Sequence, residues 1–306
     1  MSDQRLLSWF FLFGCNLMWA LQFTCIKLVQ DQVGALFTVW GPMTLATLLL
    51  YPFIKAEKKA GARSGRRSRR DILLFFMLAA LGIFPGQILI TWGTRLSLAS
   101  NAALLNLALP VCTALMAYIF LGERMTAVRW LSFGLALAGV LLCSGIDYRS
   151  LNFGAGYLSG NLLIFLGLNG SAFLNSYSKK VLERYTPMEL LFYLYLVMFL
   201  LLTPLVLAKE RDVFARVPEF TLSTWTGLVL LTVFHNWLSM VLFLKALNRL
   251  DATQAALSNY LIAFFGLPIA ALWLGERLSA LALAGGAIVL GSTLLITLYP
   301  EREKAG

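Results

Sequence analysis

Apolar residues run along this chain in long stretches, broken by short polar ones. Ten stretches of mostly apolar residues can be marked: 6–28, 34–54, 72–93, 98–119, 127–146, 156–179, 187–208, 222–246, 252–273 and 279–299. Each is near the length of about 20 residues that an α-helix needs to cross a bilayer. In hydrocarbon only a helix or a closed barrel can satisfy its own backbone, so the pattern predicts an all-α membrane protein with ten transmembrane helices. The first stretch, LLSWFFLFGCNLMWALQFTCIKLV, is too long and too aromatic for a signal-peptide core, and is expected to remain as the first span. Two connections carry most of the loop charge: KAEKKAGARSGRRSRRD at 55–71 and KERDVFARVPEFT at 209–221.

Composition strengthens the membrane reading. The chain is 59% hydrophobic and 13% charged, where a soluble domain carries about 25% charged residues. Ten spans put both termini on one side. Of the 25 Lys and Arg, seven (Lys27, Arg95, Arg149, Lys209, Arg211, Arg216 and Arg277) fall on the other side, and the remaining 18 on the terminal side. The excess of basic residues on cytoplasmic loops then predicts cytoplasmic termini in an inner membrane. The basic 55–70 loop accounts for much of the net charge of +10. Orientation and contact with anionic headgroups explain it without a nucleic-acid partner. Cys15, Cys25, Cys112 and Cys143 all lie in apolar stretches with no C-x-x-C pair, as small buried apolar residues do. With one histidine in the chain, no metal site is expected, and no cofactor either.

The tetrapeptide LGER stands at 121–124 and again at 274–277, an offset of 153 in a chain of 306. The same offset lays ASNAALLNLALP (99–110) over ATQAALSNYLIA (252–263), with Asn106 over Asn259. It also lays GCNLMWALQFTCIK (14–27) over GLNGSAFLNSYSKK (167–180), matching Gly14 to Gly167, Asn16 to Asn169 and Lys27 to Lys180. The chain therefore reads as a tandem duplication, 1–153 and 154–306, of five helices each. Five is odd, so the second unit enters the membrane from the opposite side. The two units are then inverted copies related by an axis in the membrane plane, an arrangement suited to alternating access. Gly122 and Gly275 are placed to end helices in the left-handed conformation. Thr126 and Ser279 are placed to cap the helices that follow. Glu123 and Glu276 are expected to define the hairpins rather than touch substrate.

The half-repeat ending in LGER, preceded by TRLSLASNAALLNLALPV or KALNRLDATQAALSNYLIAF, resembles the EamA unit of the drug/metabolite transporter superfamily. Within it the aromatic-rich pattern is most similar to bacterial amino acid exporters of the YddG type. The resemblance implies a ten-helix basket around a central cavity walled by helices 1, 3, 4, 6, 8 and 9. It implies export of amino acids, aromatic ones included. The repeats differ at their prolines: Pro110 aligns with Ala263, and Pro268 with Leu115. Both prolines are candidates for flexing positions.

Polar side chains at bilayer depth usually face an interior or a cavity. Substrate-contact candidates are Trp19 and Gln22 on helix 1, Gln87 and Trp92 on helix 3, and Asn101 on helix 4. Further along stand Asn169 and Tyr177 on helix 6, His235 and Asn236 on helix 8, and Ser258 and Tyr260 on helix 9. The duplicated Asn16, Asn106 and Asn259 lean towards helix–helix bridging, since an intramembrane Asn commonly links two helices. No Asp or Glu falls in the middle of a predicted span, which favours small net-neutral solutes and facilitative movement. His235 could couple protons, since His titrates near neutral pH, or serve as a neutral hydrogen-bonding group. A drug or other metabolite exporter with proton coupling is the alternative. A channel would want a ring of charge or a filter. An enzyme would want a credible catalytic constellation, and Ser239 four residues after His235 reads better as a cavity wall.

Overall fold

The computed structural model describes residues 3–59, 69–121, 126–143, 157–182, 184–247 and 258–298. Every regular element among them is helical. The helices are α1 (Asp3–Val29), α2 (Ala35–Lys59), α3 (Arg69–Leu96), α4 (99–121), α5 (Ala127–Cys143), α6 (Leu158–Leu182), α7 (Pro187–Lys209), α8 (222–247), α9 (Tyr260–Leu274) and α10 (Ala280–Leu298). Among the described residues, α1, α2, α3, α7 and α8 contain stretches both long and apolar enough to cross a membrane. Of the other predicted spans, α5 is described over 17 residues and α9 over 15, with 144–146 of the fifth span outside the described residues. α6 is long but carries Asn161, Asn169, Ser171, Asn175, Ser176 and Ser178. The start of the ninth predicted span, 252–257, lies outside the described residues, as do Gly122 and Glu123.

α4 is interrupted where its proline demands it. Pro110 has no N–H to give the Asn106 carbonyl four residues back. Asn106–Ala108 tighten into a 3₁₀ turn, and the Leu109 N–H takes that carbonyl instead. Pro268 sits inside α9 with no such turn recorded.

α3 and α8 are interrupted differently. Each has a π-helical stretch, Leu78–Ile83 in α3 and Leu231–Ser239 in α8. Their first residues are 153 apart, the same offset as the sequence repeat. α1 and α6 end at Val29 and Leu182, and α4 and α9 at Leu121 and Leu274, again at that offset.

Packing follows the same exchange of n with n + 5. α1 lies along α8 and α9, while α6 lies along α3 and α4. α2 packs on α7, and α5 on α10. The α3–α6 contact is a backbone-to-backbone approach over Gly82, Gly86 and Gly93 on one side and Gly160, Gly167 and Gly170 on the other.

At the end of α9, Gly275 adopts φ 65°, and its N–H returns to the Ala270 and Ala271 carbonyls. This is the left-handed helix end that favours glycine. The Ser279 hydroxyl then accepts from the Ala282 N–H, and the Thr126 hydroxyl from the Arg129 N–H, so both cap as the sequence suggests. Gly275→Ala is expected to cost about 1 kcal/mol, read as a small fall in the thermal midpoint of the purified protein. A neutral or stabilising result would contradict the left-handed cap.

Candidate functional site

A small polar cavity lies between α1, α2, α3 and α8. Gln22, Ile26, Thr38, Val39, Met43, Gln87, Thr91, Leu231, His235 and Asn236 line it. Its water-sized space is about 10 Å³, room for about one water molecule, so in this conformation the polar groups leave no room for a larger solute. The lining carries no Asp, Glu, Lys or Arg.

Each polar group reaches the cavity for a local reason. Trp19, Gln22 and Ile26 recur at helical spacing on one face of α1. Gln22 Nε2 donates to Gln87 Oε1 at 2.8 Å, bridging α1 to α3. That bond leaves Gln22 Oε1 and Gln87 Nε2 without a hydrogen bond among the described residues. Gln87 stands four residues after the π stretch of α3, and Thr91 one turn further on.

On α8 the π stretch itself carries His235 and Asn236. An i→i+5 pattern leaves backbone groups that side chains must complete. Asn236 Nδ2 donates to the Leu231 carbonyl at 2.8 Å, five residues back. The Asn236 carbonyl in turn accepts from the hydroxyl of the fully buried Tyr195 on α7, at 2.7 Å. Ser239 donates to the His235 carbonyl. His235 is 6% exposed, and its Nδ1 has no hydrogen-bond partner among the described residues. A buried polar atom left unpaired costs about 1–3 kcal/mol, a cost that a bound polar group would remove.

Four of the sequence candidates, Gln22, Gln87, His235 and Asn236, thus come together. Trp19 borders them: its ring packs on Phe243 of α8 at 4.8 Å, and its Nε1 is buried without a partner among the described residues. The rest are placed elsewhere. Trp92 is 44% exposed and does not line the cavity. Asn169 turns back on its own helix, donating to the Phe165 carbonyl at 3.0 Å. Tyr177 packs on Phe173, with ring centroids 4.8 Å apart and the planes tilted by 38°. Asn101 is buried and donates to Ser97 Oγ at 3.4 Å. Ser258 accepts from Asn16 Nδ2 at 2.9 Å, and this bond ties α1 to the start of the ninth span. Asn106 and Asn259 are buried at a helix interruption and a helix start. The side chain of Tyr260 lies outside the described residues.

One feature was not singled out in the sequence: Thr38 with Thr91, which add hydroxyls to the wall. Glu276, expected to define its hairpin, also crosses to α4, where its carboxylate accepts from the Ala99 and Ser100 N–H groups, both at 2.9 Å, and from the Ser100 hydroxyl at 2.7 Å. Glu276 therefore does more than shape its own hairpin.

Comparisons with known proteins agree with this architecture. A solved structure titled "Crystal structure of protein" superposes with a TM-score of 0.63 at 16% identity, covering all of both chains. The chain is 29% identical to the "Probable terminal-alkyne amino-acid exporter" of Streptantibioticus cattleyicolor, over 93% of this chain and 92% of that protein. It is 24% identical to the "S-adenosylmethionine uptake transporter" of Rickettsia bellii, over 84% and 81% of the two chains. The model of the EamA-like transporter family matches twice, at residues 6–145 and 158–298. With a match in each half and a polar cavity enclosed by apolar helices, the chain belongs to the EamA-like transporter family, as a multi-pass membrane transporter of small molecules.

Proposed function

We propose that the protein exports small net-neutral metabolites, amino acids first and aromatic ones among them, by alternating access. It would cross a bacterial inner membrane ten times, as two inverted five-helix units spanning 1–153 and 154–306, with both termini in the cytoplasm. The exchange-symmetric packing of α1 on α8 and α9, and of α6 on α3 and α4, supports the inverted arrangement. The basic 55–70 loop supports the orientation.

The observation that carries the substrate class is the uncharged polar cavity. Gln22, Gln87, His235 and Asn236 present donors and acceptors with no fixed charge on the wall. Amide dipoles can hold the ammonium and carboxylate of a zwitterion together, whereas a net charge would lack a counter-charge at that depth. The name of the Streptantibioticus relative points the same way. A proton-coupled exporter is the second reading, favoured by the buried Nδ1 of His235, which has no partner among the described residues.

The test is saturable uptake of labelled Trp, Phe, Met, Lys and Glu into proteoliposomes, with and without a pH gradient. Neutral amino acids are expected to exceed Lys and Glu by about tenfold, corresponding to about 1.4 kcal/mol, with no gradient required. Uptake only under a gradient would transfer the mechanism to proton coupling at His235. Folded protein that carries no neutral amino acid would remove the substrate assignment.

A further inference from the structure

One end of the bundle gathers the loop 30–34, the junction 97–98, the segment 210–221 and the turn 275–279. At this end, side chains from one helix terminus satisfy the backbone of another. Helix starts expose unpaired N–H groups and helix ends unpaired carbonyls, with partial charges to match. Acids meet the starts. Glu210, just past α7, accepts from the Leu36 and Phe37 N–H groups at 3.1 and 2.8 Å. Glu276 does the same for α4, at Ala99 and Ser100. Bases meet the ends. Lys27 Nζ donates to the Arg95 carbonyl at 3.1 Å, and the Arg95 guanidinium to the Gln30 and Val33 carbonyls. Gln32 adds bonds to Glu219 O, Thr221 and Thr224.

All of these bonds join one helix or turn to another. Lys27 and Arg95 tie α1 to α3, Glu276 ties the α9–α10 turn to α4, and Glu210 ties α7 to α2. They also sit directly above the cavity. Lys27 follows the lining residue Ile26, and Arg95 lies one turn beyond the lining residue Thr91 on the same face of α3, about 6 Å further along. Gly34 makes room for one of them: a Cβ there would stand 2.1 Å from the Glu210 carboxyl carbon.

The opposite end holds a related bond. Glu57, near the end of α2, accepts from the hydroxyl of Thr186, the residue that caps α7. Glu57 and Glu210 are 153 residues apart, as are Glu123 and Glu276. Glu57 and Glu210 thus hold repeat-related positions at opposite ends, and each, like Glu276, is aimed at a helix start in the other half.

We propose that Lys27, Arg95, Glu210 and Glu276 form a latch that closes this end of the cavity, and that solute leaves there only when the latch parts. This rests on the alternating-access reading given above. Each bond is charge-assisted and partly shielded from water, so it is strong enough to hold an end shut. Each, apart from the Ser100 hydroxyl bond to Glu276, is made to a backbone group that water can take over on opening, so the latch can let go without stranding a buried charge.

The test is a distance measurement. Spin labels on Leu96→Cys and Leu222→Cys, both exposed positions at this end, are placed in a background with the four native cysteines replaced. The parent is expected to give mainly one short distance. Lys27→Met with Glu276→Gln is expected to raise the long-distance population at least about threefold, and Arg95→Gln to do so independently, as about 0.65 kcal/mol per threefold shift requires. Glu57→Gln at the far end is expected not to open this one. Distances unchanged in both latch variants, or an equal opening in Glu57→Gln, overturn the latch. Opening in protein that transports no amino acid would fault the substrate reading and leave the latch standing.

Discussion

Gly170→Ala is expected to lower the stability of the purified protein by about 1–3 kcal/mol, the usual cost of overpacking. A Cβ at Gly170 would stand 2.4 Å from the Gly82 carbonyl oxygen and 2.9 Å from Gly86 Cα. At Gly93 it would stand 2.5 Å from the Gly160 carbonyl oxygen and 2.8 Å from the Ile164 nitrogen. The colliding atoms are backbone, which cannot rotate away as a side-chain tip could. α3 and α6 would have to move apart along their contact, losing dispersion contacts that glycine made possible. The two positions are far apart, so Gly93→Ala combined with Gly170→Ala is expected to be roughly additive and to prevent recovery of folded protein. Gly134→Ala and Gly291→Ala are the controls, because a Cβ at either meets nothing within 4 Å. Thermal midpoints and size-exclusion recovery give the comparison. Equal losses at Gly170 and Gly134 would show that helix content, not close approach, sets the effect.

That contact marks a boundary of what the sequence made legible. The 153-residue offset, the helical class, the Gly275 helix end and the Ser279 cap all follow from local signals: a repeated tetrapeptide, apolar run length, and the backbone freedom of glycine. Of the glycines of α3 and α6, Gly82 and Gly86 stand at the GxxxG spacing that marks close helix approach, but that spacing does not name the partner helix, and the others carry no such signal. They look alike whether they face a neighbouring helix or lipid, and only packing distinguishes them. Depth along a helix likewise does not give direction around it. Gln22 and Asn169 sit at comparable depths, yet Gln22 bridges to Gln87 while Asn169 bonds its own helix at Phe165. Trp92 is adjacent to Thr91, but one residue is about 100° of helix rotation, so one lines the cavity and the other does not. The π stretches were hidden for a further reason. Their i→i+5 geometry at His235 is held by Asn236 from the same helix and by Tyr195 from α7, a contact between residues 41 apart in sequence. Glu210 and Glu57 were read only as loop charge, because a carboxylate that caps a distant helix looks in sequence like one in solvent.

Gln87→Leu is expected to reduce transport at least about tenfold, the equivalent of one lost substrate hydrogen bond of about 1.4 kcal/mol. The same change also breaks the bond from Gln22, so a simple loss of activity would not tell a binding role from a structural one. The double variant Gln22→Leu with Gln87→Leu separates them. Leaving Gln22 without its acceptor strands a polar group and should cost about 1 kcal/mol of stability in the single variant. Replacing both amides with apolar groups of similar size removes that penalty, so the thermal midpoint of the double variant should return to the parent value or above it. Transport should not return, since neither amide of the pair remains to meet the solute. Saturable uptake of neutral amino acids, measured beside the thermal midpoint for parent, both single variants and the double, gives the four corners of the cycle. Recovery of both stability and transport in the double variant would make the amide pair a strut between α1 and α3, and would move recognition to His235 and Asn236. Recovery of stability alone places the solute's polar head between α1 and α3, where a closed cavity with room for one water must widen before a larger guest can enter.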